Sequence, residues 1–143
     1  MAKASFKLPE EFLDRVSKLG NNMDEIVPRV LDAGGEVVLA QVRGNLQSAI
    51  GRNTTKPSRT TGTLLGALGV SPAKLDRRGN YDVKVGFNEP RRGGGVNAKI
   101  ASVLEHGRHG QPARPFLRPA RTASRKPAIA AMKAKLEEAI DRL

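Results

Sequence analysis

Residues 105–120 read EHGRHGQPARPFLRPA, and the reading of this stretch decides how the last third of the chain folds. Upstream, Ala98 to His106 places Ile100, Val103 and Leu104 on one helical face, and Gly107 ends that helix. Arg108 to Arg114 must be irregular. Pro112, Pro115 and Pro119 fix their own φ and push the residues before them toward extended backbone, so the crossing is stiff. Phe116 and Leu117 are its large apolar side chains, and burying both contributes about 3 to 5 kcal/mol before entropy. From Pro115 the chain can turn helical again. Ser124 can cap a last helix with Pro127 in its first turn and Ile129, Met132, Leu136, Ile140 and Leu143 on one face. Glu105 is the only acid between Pro90 and Leu136 and sits among Lys99, Arg108, Arg114 and Arg118, so a structural ion pair to one of the arginines is expected.

Moving toward the N-terminus, Asn80 to Phe87 alternates Tyr81, Val83, Val85 and Phe87, the pattern of a half-buried strand. Gly69 to Ala73 also reads as extended, and Asp76 to Asn80 (DRRGN) has the chemistry of a hairpin turn between the two. Thr63 to Leu68 suits a short helical turn. Two segments, about 51–63 and 88–97, read as flexible, basic loops rich in Gly, Thr or Asn. A short helix is expected over Phe6 to Leu19, with acids crowding its start and Gly20 and Asn21 stopping it. Asn22 can cap a longer helix whose stripe runs Met23, Ile26, Val27, Val30, Leu31, Gly34, Val37, Val38, Val42, Leu46 and Ile50, with Pro28 predicting a kink or a later start. A stripe this long can be covered within the monomer or partly by a neighbouring subunit. The order is α+β: a long N-terminal helix, a small antiparallel sheet, a proline-rich crossing and a C-terminal helix.

The 143 residues fit one domain, 1–143. There is no cysteine, which removes disulfide frameworks and thiolate metal sites. The lack of cysteine suits bacterial cytoplasm, and no apolar run suits a signal peptide or a membrane span, so a protein neither secreted nor membrane-spanning is expected. The net charge is +11, unevenly spread. Residues 1–50 carry six basic and seven acidic side chains, net −1, and residues 51–143 carry nineteen and seven, net +12. Such one-sided excess points first to nucleic acid and then to an acidic protein surface.

Chemistry finds little to build on. His106 and His109 lie three apart, but Gly107 and Gly110 break the helix that would align them and no second ligand cluster follows. Gly93 to Gly95 lacks the Lys and Ser or Thr of a phosphate-cradling loop. The carboxylates are scattered, so no catalytic residue, cofactor or metal is assigned. With one Tyr and four Phe, base stacking is weakly supported, and any DNA contact should fall on phosphates without sequence preference.

Residues 101–120, ASVLEHGRHGQPARPFLRPA, resemble the hallmark of a tailed-phage family of lambda-like siphophages whose members are head-to-tail joining, neck or tail-completion proteins. The pattern is an apolar helix closing in Glu-x-Gly, a short variable stretch, then Pro-Ala-x-Pro-Phe-Leu-x-Pro-Ala. It is met by Glu105, Gly107, Pro112, Ala113, Pro115, Phe116, Leu117, Pro119 and Ala120. His106 and Arg108 stand where relatives often carry an aromatic residue and Thr. Thr61 to Ser71 (TGTLLGALGVS) is similar to the step into the family's first strand. The resemblance implies a non-enzymatic virion subunit forming a ring, hexameric in the particle, at the neck. Its implied partners are the connector or head-completion protein and the tail tube or tail-terminator protein. Arg52, Lys56, Arg59, Arg91, Arg92, Arg108, Arg114, Arg118 and Arg121 are the candidate contacts to a partner or to packaged DNA, and no membrane is involved. The rival reading is a free, sequence-indifferent basic DNA-binding protein.

Overall fold

The computed structural model describes residues 10–50, 63–88 and 96–143. Helix α1 spans Glu10–Asn21 and α2 spans Met23–Ala49, with only Asn22 between them. Gly20 and Asn21 lie inside α1, and Asn22 occupies the N-cap position without a side-chain cap bond. Its amide instead donates to the Lys18 carbonyl, at 2.7 Å. Pro28 neither breaks α2 nor delays its start. It sits in the second turn, where its missing N–H orphans only the Asp24 carbonyl at an exposed helix end.

Helix α3 (Thr63–Ala67) leads directly into β1 (Leu68–Val70). Next come β2 (Lys74–Leu75), β3 (Tyr81–Asp82) and β4 (Val85–Phe87). The single strand expected over Asn80 to Phe87 is split in two. β1 pairs antiparallel with β4, Leu68 opposite Phe87 and Val70 opposite Val85, while β2 pairs with β3 in a separate two-residue ladder. Between the ladders, Lys84 donates its N–H to the Ser71 hydroxyl and its carbonyl accepts from the Ser71 N–H, both at 2.8 Å. The turn predicted at Asp76 to Asn80 is present. Asp76 accepts the Arg78 and Asn80 N–H groups at 2.8 and 2.9 Å, and Gly79 takes the positive φ of 81°.

Helix α4 spans Val96–His106, starting two residues before the expected Ala98. Its inward face is Asn97, Ala101, Leu104 and Glu105, so Ile100 points outward. Counting large apolar side chains put the face one residue out of phase, because Ala101 is small and Glu105 is charged yet buried. Helix α5 runs unbroken over Leu117–Asp141. No new helix begins at Ser124, which is buried inside α5, and Pro127 lies mid-helix. The side chains seated most deeply are Ala120, Ser124 and Ala128, four apart, while Ile129 is exposed.

Helices α2 and α5 form the main packing pair. Gly34 and Gly35 make close approach possible on two sides of α2. A Cβ on Gly34 would stand 2.7 Å from Met132 of α5, and one on Gly35 would stand 3.0 Å from Val70 and 3.1 Å from Val83. The core gathers Leu39, Val42, Leu46 and Ala49 of α2 with Leu64, Leu68, Ala101, Phe116 and Ala120. Tyr81 ties β3 to the start of α2, its hydroxyl donating to Asp24 at 2.8 Å. That hydrogen bond, with some desolvation and the carboxylate's charge, raises the phenol above its ordinary value.

Candidate functional site

Three consecutive residues at the end of α4 hold the crossing to α5. The Val103 carbonyl accepts the Gly107 N–H at 2.8 Å, the Leu104 carbonyl accepts the Arg114 N–H at 2.7 Å, and the Glu105 carboxylate takes the start of α5. Glu105 Oε2 accepts the N–H groups of Phe116 and Leu117 at 2.7 and 2.8 Å, and Oε1 accepts that of Arg118 at 2.9 Å. The expected ion pair to an arginine is therefore replaced. Glu105 makes no salt bridge among the described residues and is a helix cap supplied from another helix. The first N–H groups of a helix have no partner within it, and a carboxylate there also meets the positive end of the dipole. Burial works against the charged form of Glu105, which is 8% exposed. The three backbone donors and the neighbouring His106 outweigh burial and hold the carboxyl below its ordinary value.

Gly107 is what lets the chain turn back. Its φ is +76°, and a Cβ there would lie 2.7 Å from the Ala113 nitrogen and 2.9 Å from the Gln111 carbonyl oxygen. Arg108 and Gln111 exchange two backbone hydrogen bonds at 2.9 Å around His109 and Gly110, the latter at φ +77°. Pro112 and Pro115 sit in the exposed part of the crossing. Pro119 falls in the first turn of α5, where a missing N–H is tolerated.

Phe116 is held on every side. It is fully buried, its N–H goes to Glu105, its carbonyl accepts from Asn45 Nδ2 at 3.2 Å, and its ring meets Phe87 edge-on at 6.1 Å. Gln41 in turn donates to Asn45 at 3.0 Å. Leu117 is half-buried beside it. Asn45 carried no sequence signal, since its role exists only once α5 lies across α2.

Arg114, grouped with the contact arginines by sequence, turns inward instead. Its Nη1 donates to the Ala49 carbonyl at 3.4 Å, placing a cation at the C-terminus of α2, where no basic residue of that helix lies. Arg108, Arg118 and Arg121 are exposed. Arg52, Lys56, Arg59, Arg91 and Arg92 lie outside the described residues, as do 51–62 and 89–95 of the two basic segments. Of the remainder, Thr63 opens α3 and Val96 and Asn97 open α4, while Asn88 follows β4 without regular structure.

Arg118 and Arg121 are joined by Arg125, which the motif reading left out although its spacing of seven from Arg118 puts it on the same helical face. The three line one side of an open groove of about 1010 Å³ between α2 and α5, with Val38, Val42, Val85, Leu117, Ala128, Ile129 and Met132 as its apolar lining. None of the three forms an ion pair among the described residues. Also among the described residues, no three His, Asp or Glu side chains converge in a way that would hold a metal, and no helix is long and apolar enough to cross a membrane.

The described residues form an α+β frame that carries a basic, apolar-floored groove. The family model described as "Bacteriophage HK97-gp10, putative tail-component" matches residues 10–107, and the chain belongs to that HK97-gp10-like family of phage tail components. The match includes Glu105 and Gly107 and ends before the proline run and α5. Among curated proteins and among solved structures, none matches this chain.

Proposed function

We propose that this tail component is a ring-forming adaptor that completes the tail or joins head to tail, a single domain over residues 1–143 repeated around the particle axis as a hexamer. Connector or head-completion protein meets one side of the ring, and tail tube or tail-terminator protein meets the other. It works without catalysis, by shape and charge, at the neck of the virion after a stage in the host cytoplasm. The observation that carries this reading is the row Arg118, Arg121 and Arg125, with no ion-pair partner among the described residues, along an open groove beside the start of α5 that Glu105 caps. Repetition in a ring multiplies the net +12 of residues 51–143 around a channel for DNA. The test is native mass spectrometry at high protein concentration with electron microscopy of particles lacking this chain. Rings, and full heads beside unattached tails, are expected; a chain that never forms rings and is absent from purified particles overturns the reading.

The excess of +12 in residues 51–143 also supports a free DNA-binding protein. Salt titration separates the two. A free binder holds duplex DNA as an isolated monomer or dimer with a steep negative salt slope, whereas the adaptor binds it weakly alone.

A further inference from the structure

Helix α1 leaves one face without a partner among the described residues. Leu13 and Val16 stand 47% and 50% exposed on it, and a single residue separates it from α2. The groove between α2 and α5 is open in the complementary way, with Ile129 51% exposed beside Met132 and Ala128 and the arginines at its far end. We propose that α1 of a second copy docks in this groove, an inference that rests on the ring reading above and supplies its subunit contact.

Length supports the fit. The twelve residues of α1 span about 18 Å, and the groove follows α5 from Leu117 to Met132, about 22 Å. Charge supports it and sets the direction. α1 carries Glu10 and Glu11 in its first turn, with Asp14 and Arg15 after them and Asp14 paired to Lys18 at 2.9 Å. The groove carries Arg118, Arg121 and Arg125 at the N-terminal end of α5, so Glu10 and Glu11 are the acids that face them. The two helices then run parallel, acids against arginines, with Leu13, Val16 and Leu19 against Ala128, Ile129 and Met132. Donor face and acceptor groove are different patches of one chain, so the contact is head-to-tail, the kind that closes rings.

Because the chain has no cysteine, the contact can be trapped cleanly. A Val16→Cys chain mixed with an Ile129→Cys chain and oxidised is expected to give the mixed disulfide in preference to either like pair. Leu13→Asp with Val16→Asp weakens self-association by about tenfold or more while leaving the monomer's melting temperature unchanged, since both side chains are exposed. Arg121→Glu with Arg125→Glu does the same, and Glu10→Arg with Glu11→Arg in the same chain restores association. Rings that form without the mixed disulfide and ignore Leu13→Asp with Val16→Asp overturn this contact and leave the ring reading standing. A chain that never self-associates overturns both. Arginine variants that lose duplex DNA binding but keep self-association assign the groove to nucleic acid and also overturn it.

Discussion

At the residue scale the fold turns on two neighbours with different physics, Glu105 and Gly107. Glu105 gives α5 its start by accepting three backbone N–H groups, so Glu105→Ala should cost about 2 to 3 kcal/mol in urea unfolding, more than an ordinary cap, because charge-assisted bonds are lost and their donors stranded. The sign of the pH dependence follows from the depressed carboxyl. The contribution is fully present above the unfolded-state value near 4.3 and is lost as pH falls through the lower folded-state value. Unfolding measured from about pH 6 downward should show wild type losing its advantage over Glu105→Gln only as pH falls below the ordinary carboxylate range. Gly107 is required twice, for its positive φ and for the backbone atoms that a Cβ would strike. Asparagine tolerates positive φ, so Gly107→Asn isolates the clash and should cost about 3 kcal/mol or more. Gly110→Asn, at nearly the same φ but facing open space, should cost about 1 kcal/mol or less.

At the element scale the main packing pair, α2 on α5, depends on what is missing from the side chains. Ala120, Ser124 and Ala128 seat α5, and Gly34 admits Met132. Gly34→Ala gains helix propensity, about 1 kcal/mol, but drives a methyl into Met132, so a net loss is expected. Combining it with Met132→Ala should cost clearly less than the sum of the single changes, a coupling of about 1 kcal/mol in a double-mutant cycle. The same feature explains what the sequence did and did not make legible. Long α2, the turn at Asp76 to Asn80 and the end of α4 at Gly107 are written in local periodicity and turn chemistry. The burial of Ala101 and Ser124, the outward turn of Ile100 and Ile129, and the unbroken start of α5 at Leu117 are not. Those depend on contacts between segments far apart, such as Glu105 with Leu117, or on small residues that hydropathy scores as neutral. The site followed the same rule: the run from Glu105 to Ala120 was visible as a motif, while the cap, Asn45 and the inward turn of Arg114 needed the packed structure.

At the scale of the whole molecule, charge is arranged against local stability. Arg118 stands in the first turn of α5, where the helix dipole disfavours a cation, and Arg121 and Arg125 follow on the same face in the next two turns. Lys126 adds to them, and no acid of α5 precedes Glu137. A row of cations whose first member works against its own helix, and which finds no ion-pair partner among the described residues, is better explained by an external contact than by folding. Replacing Arg118, Arg121 and Arg125 together by Gln should therefore leave unfolding stability equal to wild type or up to about 1 kcal/mol higher. Assembly should move the other way, self-association in native mass spectrometry falling and its remaining dependence on salt flattening, because the screened contacts are the ones removed. A triple variant that unfolded more easily, with assembly unchanged, would mean that these arginines serve the monomer.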